Sequence, residues 1–200
     1  MWRKVDVCER VHPLFSGNIT NIVDSCGNVG KLTRIADAVA SPTFATLHPR
    51  KNPEAPFLVL GGYIDFLVPS AYANGHGTIT GLANLFPVSP RPCFSDPSNS
   101  SVQQDAINHL FKLTEASQKD LALLPEARRV QGIVARADFT IAKASISGTK
   151  YLLEKLYGYG GLPRKPLLPI DPDAARSLWE HPHTQDALKL EIELTGKDQV

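Results

Sequence analysis

The sequence predicts an α/β fold, in which three strand–helix units build a parallel sheet and a helical tail follows. Three observations predict it. The stretch 57–84, FLVLGGYIDFLVPSAYANGHGTITGLAN, passes from a short apolar run through Gly61-Gly62 and an amphipathic segment to a second short run at 76–80. Strands covered on both faces read as continuous apolar runs of this kind, and the strand–helix–strand order makes them parallel. A third run, NITNIV at 18–23, is β-branched and leads through a polar turn into a helical period. After Pro87 the texture changes to long amphipathic segments.

Taken in order, residues 1–17 carry no clear period and are expected to form an ill-ordered lead-in. The strand at 18–23 ends at Asp24-Ser25-Cys26-Gly27-Asn28, a polar turn in which Asn28 suits a helix N-cap. Val29, Leu32, Ile35, Ala36 and Val39 then fall at helical spacing, and Ser41-Pro42 should end that helix. Pro42 to Pro56 reads as a proline-punctuated loop leading to the strand at 57–62, with a helix to Ala73 and a strand at 76–80 beyond it. Prolines 87 to 97 and the Ser/Asn cluster 98–101 mark a surface loop. Helices are expected over 102–117 and 125–145, the second with the apolar stripe Val130, Ile133, Val134, Ala137 and Ile141. Ser147-Gly148 should break it, and shorter helices should span 149–157, 172–179 and 184–194. This divides the chain into a lead-in (1–17), a sheet-bearing region (18–98) and a helical region (99–200).

Bulk properties exclude several functions. The 21 basic and 20 acidic residues are interspersed and sum to +1, so neither nucleic acid nor an anionic membrane is an expected partner. No apolar stretch approaches the ~20 residues that span a bilayer. The N-terminus lacks an apolar signal core, and its basic residues are offset by Asp6 and Glu9. Cys8, Cys26 and Cys93 are widely spaced with no C-x-x-C pair, which fits a reducing compartment and neither a disulfide framework nor a zinc site. The cytoplasm is the expected location, with the mitochondrion as the alternative.

Three segments together resemble one family. DSCGNVGKLTRI, DFLVPSAYANGHGTITGLANLFP and SGTKYLLEKLYGYGGLPRKPLLPI are similar, in that order, to segments of the dihydrodipicolinate synthase / N-acetylneuraminate lyase family, especially its fungal 4-hydroxy-2-oxoglutarate aldolase-like members. The resemblance implies a partial (β/α)8 TIM barrel with a C-terminal helical extension: the strands near 18–23, 57–62 and 76–80 correspond to the sixth, seventh and eighth. The first five units have no counterpart in this chain. It further implies a lyase of the Schiff-base aldolase type acting on pyruvate or a related small 2-oxo acid, with no cofactor. Family members place the reacting lysine at the end of the sixth strand, where an amine attacks the keto carbonyl and the imine becomes an electron sink. The matching position here is Val23, which offers no lone pair. Lys31, eight residues on, is expected about two turns from the strand end. By the same correspondence Ser25 would reach the bound keto acid, while the main chain at Gly62 and Ile79 would line its pocket.

Blander readings stand beside these. The turn 24–28 is equally a helix-capping turn. Gly61-Gly62 and Gly75-His76-Gly77 match no phosphate-binding pattern and read as tight turns. His76 is expected to be structural or exposed, and His181-x-His183 is interrupted by Pro182 and a poor metal pair. Ser147 to Lys150 mimics part of a phosphate loop without a preceding strand. Asp138, Lys143, Glu126, Arg128 and Arg129 read as solvated helix faces. A three-stranded fragment leaves two sheet edges and an inner face uncovered, so self-association or docking on a full-length homologue is expected, and no aldolase turnover. The alternative functions are a non-catalytic partner of a full-length paralogue and an unrelated small-molecule-binding α/β domain.

Overall fold

A computed structural model describes residues 21–86 and 106–195. The lead-in, the first residues of the 18–23 strand and the loop 87–101 lie outside the described residues. Three strands form one parallel sheet in the order β1-β2-β3: β1 (Asn21–Asp24), β2 (Leu58–Gly61) and β3 (Gly77–Thr78). Strands β2 and β3 lie within the expected strands at 57–62 and 76–80 and are shorter, and β1 runs one residue further than expected, into Asp24.

Helix α1 (Val29–Ala40) begins at Asn28, whose side chain accepts from the Lys31 N–H at 2.9 Å. It covers one face of the sheet with Leu32 and Ala36, which pack with Val59 and Phe66, and with Ile22 at the margin. Fully burying such an aliphatic side chain is worth about 2 kcal/mol, so this small core is enough to orient α1 but not to hold the sheet alone. The expected loop after Pro42 is corrected: it opens with a short helix, α2 (Pro42–Leu47). The Ser41 hydroxyl accepts from the Thr43 N–H, and Pro42 occupies the first turn, where its missing N–H costs nothing.

Helix α3 (Leu67–Tyr72) connects β2 to β3, and a 3-10 turn (Gly81–Asn84) capped by the Thr80 hydroxyl follows. Among the described residues the second region has no strand and carries five α-helices: α4 (Ala106–Ser117), α5 (Leu124–Lys143), α6 (Ser145–Tyr157), α7 (Pro172–Glu180) and α8 (Pro182–Thr195). Its core is built around α5, whose Val130, Val134, Ala137 and Ile141 are buried together with Leu110, Leu152 and Leu188. Ile64, Leu67, Leu82 and Leu85 belong to the same cluster, so the helical region and the β2–β3 region share one core. Tyr157 donates its hydroxyl to the Leu85 carbonyl at 2.6 Å, and Tyr72 to the Ser117 carbonyl at 3.0 Å, across that junction.

The break between α5 and α6 lies earlier than expected. It falls at Ala144-Ser145, where Ser145 takes φ 56°, and Gly148 and Thr149 are inside α6. Glycine at 148 serves close approach rather than helix breaking: a Cβ there would sit 2.2 Å from that of Ala144 and 3.0 Å from Leu178.

Candidate functional site

The carboxyl ends of the strands carry the candidate site, as parallel sheets generally dictate. The last paired row is Asp24, Gly61 and Thr78. Hydrogen bonds continue the parallel pairing beyond it: the Gly62 N–H donates to the Asp24 carbonyl and the Ile79 N–H to the Gly61 carbonyl, both at 2.8 Å. One residue further, the same register brings Ser25, Gly62 and Ile79 into a single row. The structure therefore sets side by side three residues that lie far apart in sequence.

Alternation along the strands decides what each offers. Ile22 and Val59 point into the core beneath α1, which sends their neighbours Val23 and Leu60 to the opposite, open face. Val23 is 37 % exposed there, and the Ile79 side chain 60 %. Ser25, two residues after Val23, is exposed. Gly62 is needed first for the chain itself: a Cβ would lie 2.9 Å from both the Asp24 carbonyl oxygen and the Ser25 Cα. Thr78 fixes the β2 end, its hydroxyl lying 2.9 Å from the carbonyls of Gly61 and Tyr63.

The turn after β1 holds a cluster that the sequence reading missed. Asp24 is only 4 % exposed. Its Oδ1 accepts from the Cys26 thiol at 2.6 Å and from the Cys26 N–H at 3.4 Å. Its Oδ2 is buried with no hydrogen-bond partner. The expectation for Lys31 is corrected, because it lies in the first turn of α1 and its side chain folds back until Nζ is 3.5 Å from the Cys26 sulfur. A long flexible side chain closes the distance that a count of helical turns suggested.

A second cluster corrects the reading of Asp138, which is 5 % exposed rather than solvated. Its Oδ2 accepts from the Ile64 N–H at 3.2 Å, and its Oδ1 from the Thr80 hydroxyl at 3.5 Å. Burial above all, and then the neighbouring Asp65 carboxylate, push its pKa up from 3.8 to about 6, against the pull of those hydrogen bonds. Burial also raises Asp65, whose Oδ1 is buried without a partner. Two turns earlier on α5, Gln131 accepts from the Val68 N–H at 2.8 Å and donates to the Ile64 carbonyl at 2.9 Å.

The comparisons with known proteins agree on one family. An L-threo-3-deoxy-hexylosonate aldolase of Aspergillus niger is 31% identical over 186 residues, covering 88% of this chain and 48% of that protein. A protein of Emericella nidulans named "Probable 4-hydroxy-2-oxoglutarate aldolase, mitochondrial" is 32% identical over 180 residues, covering 90% and 46%. Among solved structures, a dihydrodipicolinate synthase family protein from Coccidioides immitis superposes with a TM-score of 0.57 at 24% identity, over 88% of this chain and 48% of that one. The chain belongs to the dihydrodipicolinate synthase / N-acetylneuraminate lyase family. No family model matches it. It spans about half the length of the relatives it matches, and its fold is the corresponding part of a (β/α)8 barrel with a helical extension.

Within this family member, His76, His181 and His183 serve the fold. His76 Nδ1 accepts from the Val59 N–H at 3.1 Å and its own N–H donates to the Val59 carbonyl, extending β3 toward β2. His183 pairs with the Thr140 hydroxyl through Nδ1, and its N–H donates to His181 Nδ1. Among the described residues, no group of three or more His, Cys, Asp or Glu is placed to hold a metal ion. Residues 147–150 are helical, so they form no phosphate loop. No helix among the described residues is long and apolar enough to cross a membrane.

Proposed function

We propose that this chain carries strands six to eight and the helical extension of a pyruvate-type aldolase, presents a small 2-oxo acid site at their carboxyl ends, and does not perform the covalent step. The row Ser25–Gly62–Ile79 supports this most directly: the three positions implied by the family resemblance are brought together by the parallel register. Ser25 would offer its hydroxyl to the keto acid, and the main chain at Gly62 and Ile79 would line the pocket. Val23 lies on the open face two residues before Ser25, where an amine would have to stand to form a Schiff base. An aliphatic side chain there leaves carbon–carbon bond cleavage without its electron sink.

Borohydride reduction in the presence of pyruvate tests the reading. The wild-type chain should yield no stable adduct, whereas Val23→Lys should acquire one at residue 23. A reduced pyruvate adduct on any lysine of the wild-type chain would overturn the proposed inactivity.

A second reading is favoured by the exposure of Val23 and Ile79 on the open sheet face. In it the chain is a non-catalytic partner, associating with itself or with a full-length homologue that covers this face. Co-purification with a tagged full-length aldolase of the same family, lost on making that face polar, would support it. The cytoplasm is the proposed location, with the mitochondrion as the alternative that the Emericella nidulans relative's name favours. Fractionation of cells producing the tagged chain separates the two.

A further inference from the structure

The geometry points to an oxidation-dependent covalent bridge between Cys26 and Lys31, a sulfenamide closed from sulfur to ε-nitrogen across the turn between β1 and α1. Cys26 is a free, exposed thiol, and Lys31 Nζ lies 3.5 Å from its sulfur. The backbone around this pair is fixed at both ends. The Asn28 cap holds the Lys31 N–H, and the Asp24 carboxylate holds the Cys26 N–H. Only rotation of two side chains is needed to bring the atoms to bonding distance.

Asp24 supplies the independent observation. Its carboxylate is almost fully buried against the thiol, yet Oδ2 has no partner. A turn-capping aspartate needs no such orphan, since an unsatisfied buried oxygen is costly. That carboxylate pins the thiol at the turn through Oδ1, where the exposed Lys31 ammonium reaches the sulfur. The ammonium must shed a proton before its nitrogen can attack sulfur.

The oxidant is a peroxide. The thiol sulfur is oxidised by two electrons to sulfenic acid while hydrogen peroxide is reduced to water. The exposed Lys31 ammonium loses one proton to solvent. Its nitrogen then displaces hydroxide from sulfur, and the hydroxide takes the second nitrogen proton to leave as water. Overall, thiol, ammonium and peroxide give the sulfenamide, two waters and one proton. A sulfenic acid without a nearby nucleophile waits for another thiol or oxidises further to sulfinic acid. Here an amine in contact competes at the high effective concentration of an intramolecular partner. Closure ties the turn after β1 to the first turn of α1 and removes the positive charge of Lys31. A thiol reductant reopens it.

The test treats the purified full chain with hydrogen peroxide, blocks free thiols and maps the tryptic peptides. The expected product is peptide 11–34, uncleaved after Lys31, lighter by two hydrogen atoms and restored by dithiothreitol. Lys31→Arg should abolish the two-hydrogen loss and leave Cys26 as a dimedone-reactive sulfenic acid or as sulfinic acid; Lys31→Gln should do the same, and Cys26→Ser should prevent any product. The same mass loss in Lys31→Arg would mean that a backbone nitrogen is the partner. That result, a disulfide from Cys26 to Cys8 or Cys93, or sulfinic acid alone in the wild-type chain, would overturn the bridge.

Discussion

The Asp138 carboxylate on α5 accepts the Ile64 backbone N–H at 3.2 Å, joining the long helix of the second region to the segment that leaves β2. Its pKa of about 6 lies above the ordinary 3.8, burial being the chief cause and Asp65 the next. The folded protein therefore binds more protons than the unfolded chain between about pH 4 and pH 6. The stability this group contributes is complete below the unfolded pKa and is lost as pH rises through the folded one. Two pKa units correspond to about 3 kcal/mol, and the raised Asp65 acts in the same direction. Urea unfolding of Asp138→Asn and wild type at pH 4.5 and 7.5 measures this. Asparagine keeps an acceptor for Ile64 without the charge, so the variant should gain on wild type as pH rises. Asp138→Ala should fall below Asp138→Asn by about 1–3 kcal/mol, because the Ile64 N–H is left orphaned.

Gln131 supplies the second polar link, satisfying a donor at Val68 and an acceptor at Ile64. Gln131→Leu keeps the volume and leaves both backbone groups buried without partners, at an expected cost of about 2–4 kcal/mol. Gln131→Glu can still accept from Val68 but places an anion against the Ile64 carbonyl, so it should not rescue. Thermal unfolding of the three forms ranks them, and equal midpoints would mean that water replaces the side chain.

The sheet was legible because its strands are short apolar runs with glycine stops, and Asn28 was legible as a cap because its side chain meets a local N–H. The helix at Pro42–Leu47 was obscured because proline reads as a loop signal unless Ser41 is recognised as the residue that caps it. Asp138 misled because an acidic residue on a long helix ordinarily faces solvent. The period itself held the clue, since Asp138 lies four residues after Val134 and three before Ile141, on the apolar stripe, as Gln131 lies three before Val134. The row Ser25–Gly62–Ile79 came from family resemblance and not from the pattern of the chain. The contact of Lys31 with Cys26 was not legible at all, because it depends on how a flexible side chain folds back.

Glycine 62 gives a further test with an internal control. Gly62→Ala would place its Cβ 2.9 Å from the Asp24 carbonyl oxygen and the Ser25 Cα, both backbone atoms that cannot rotate away. The strand ends would have to separate, which should destabilise the chain by about 1–3 kcal/mol. Gly81→Ala meets nothing within 4 Å and should change stability by less than about 0.5 kcal/mol. Equilibrium unfolding of the two variants decides. Equal effects would place the strand ends further apart than described.

The open sheet face sets the last expectation. Val23 and Ile79 expose aliphatic surface beside backbone ends of a parallel sheet, and among the described residues neither β1 nor β3 has a strand on its outer side. Burying apolar area gains about 25 cal/mol per Å², so covering these side chains favours association. Unpaired strand edges add hydrogen-bond donors and acceptors to the same surface. Sedimentation velocity on the wild-type chain should therefore show concentration-dependent association. The double variant Val23→Ser, Ile79→Ser should shift the dissociation constant upward by about 10-fold or more, since each lost contact weakens the assembly by ~1 kcal/mol. Neither Val23 nor Ile79 belongs to the helical core, so its thermal unfolding should change little. A wild-type chain that sediments as a monomer at tens of micromolar, or a double variant that associates as before, would show that this face does not carry the contact.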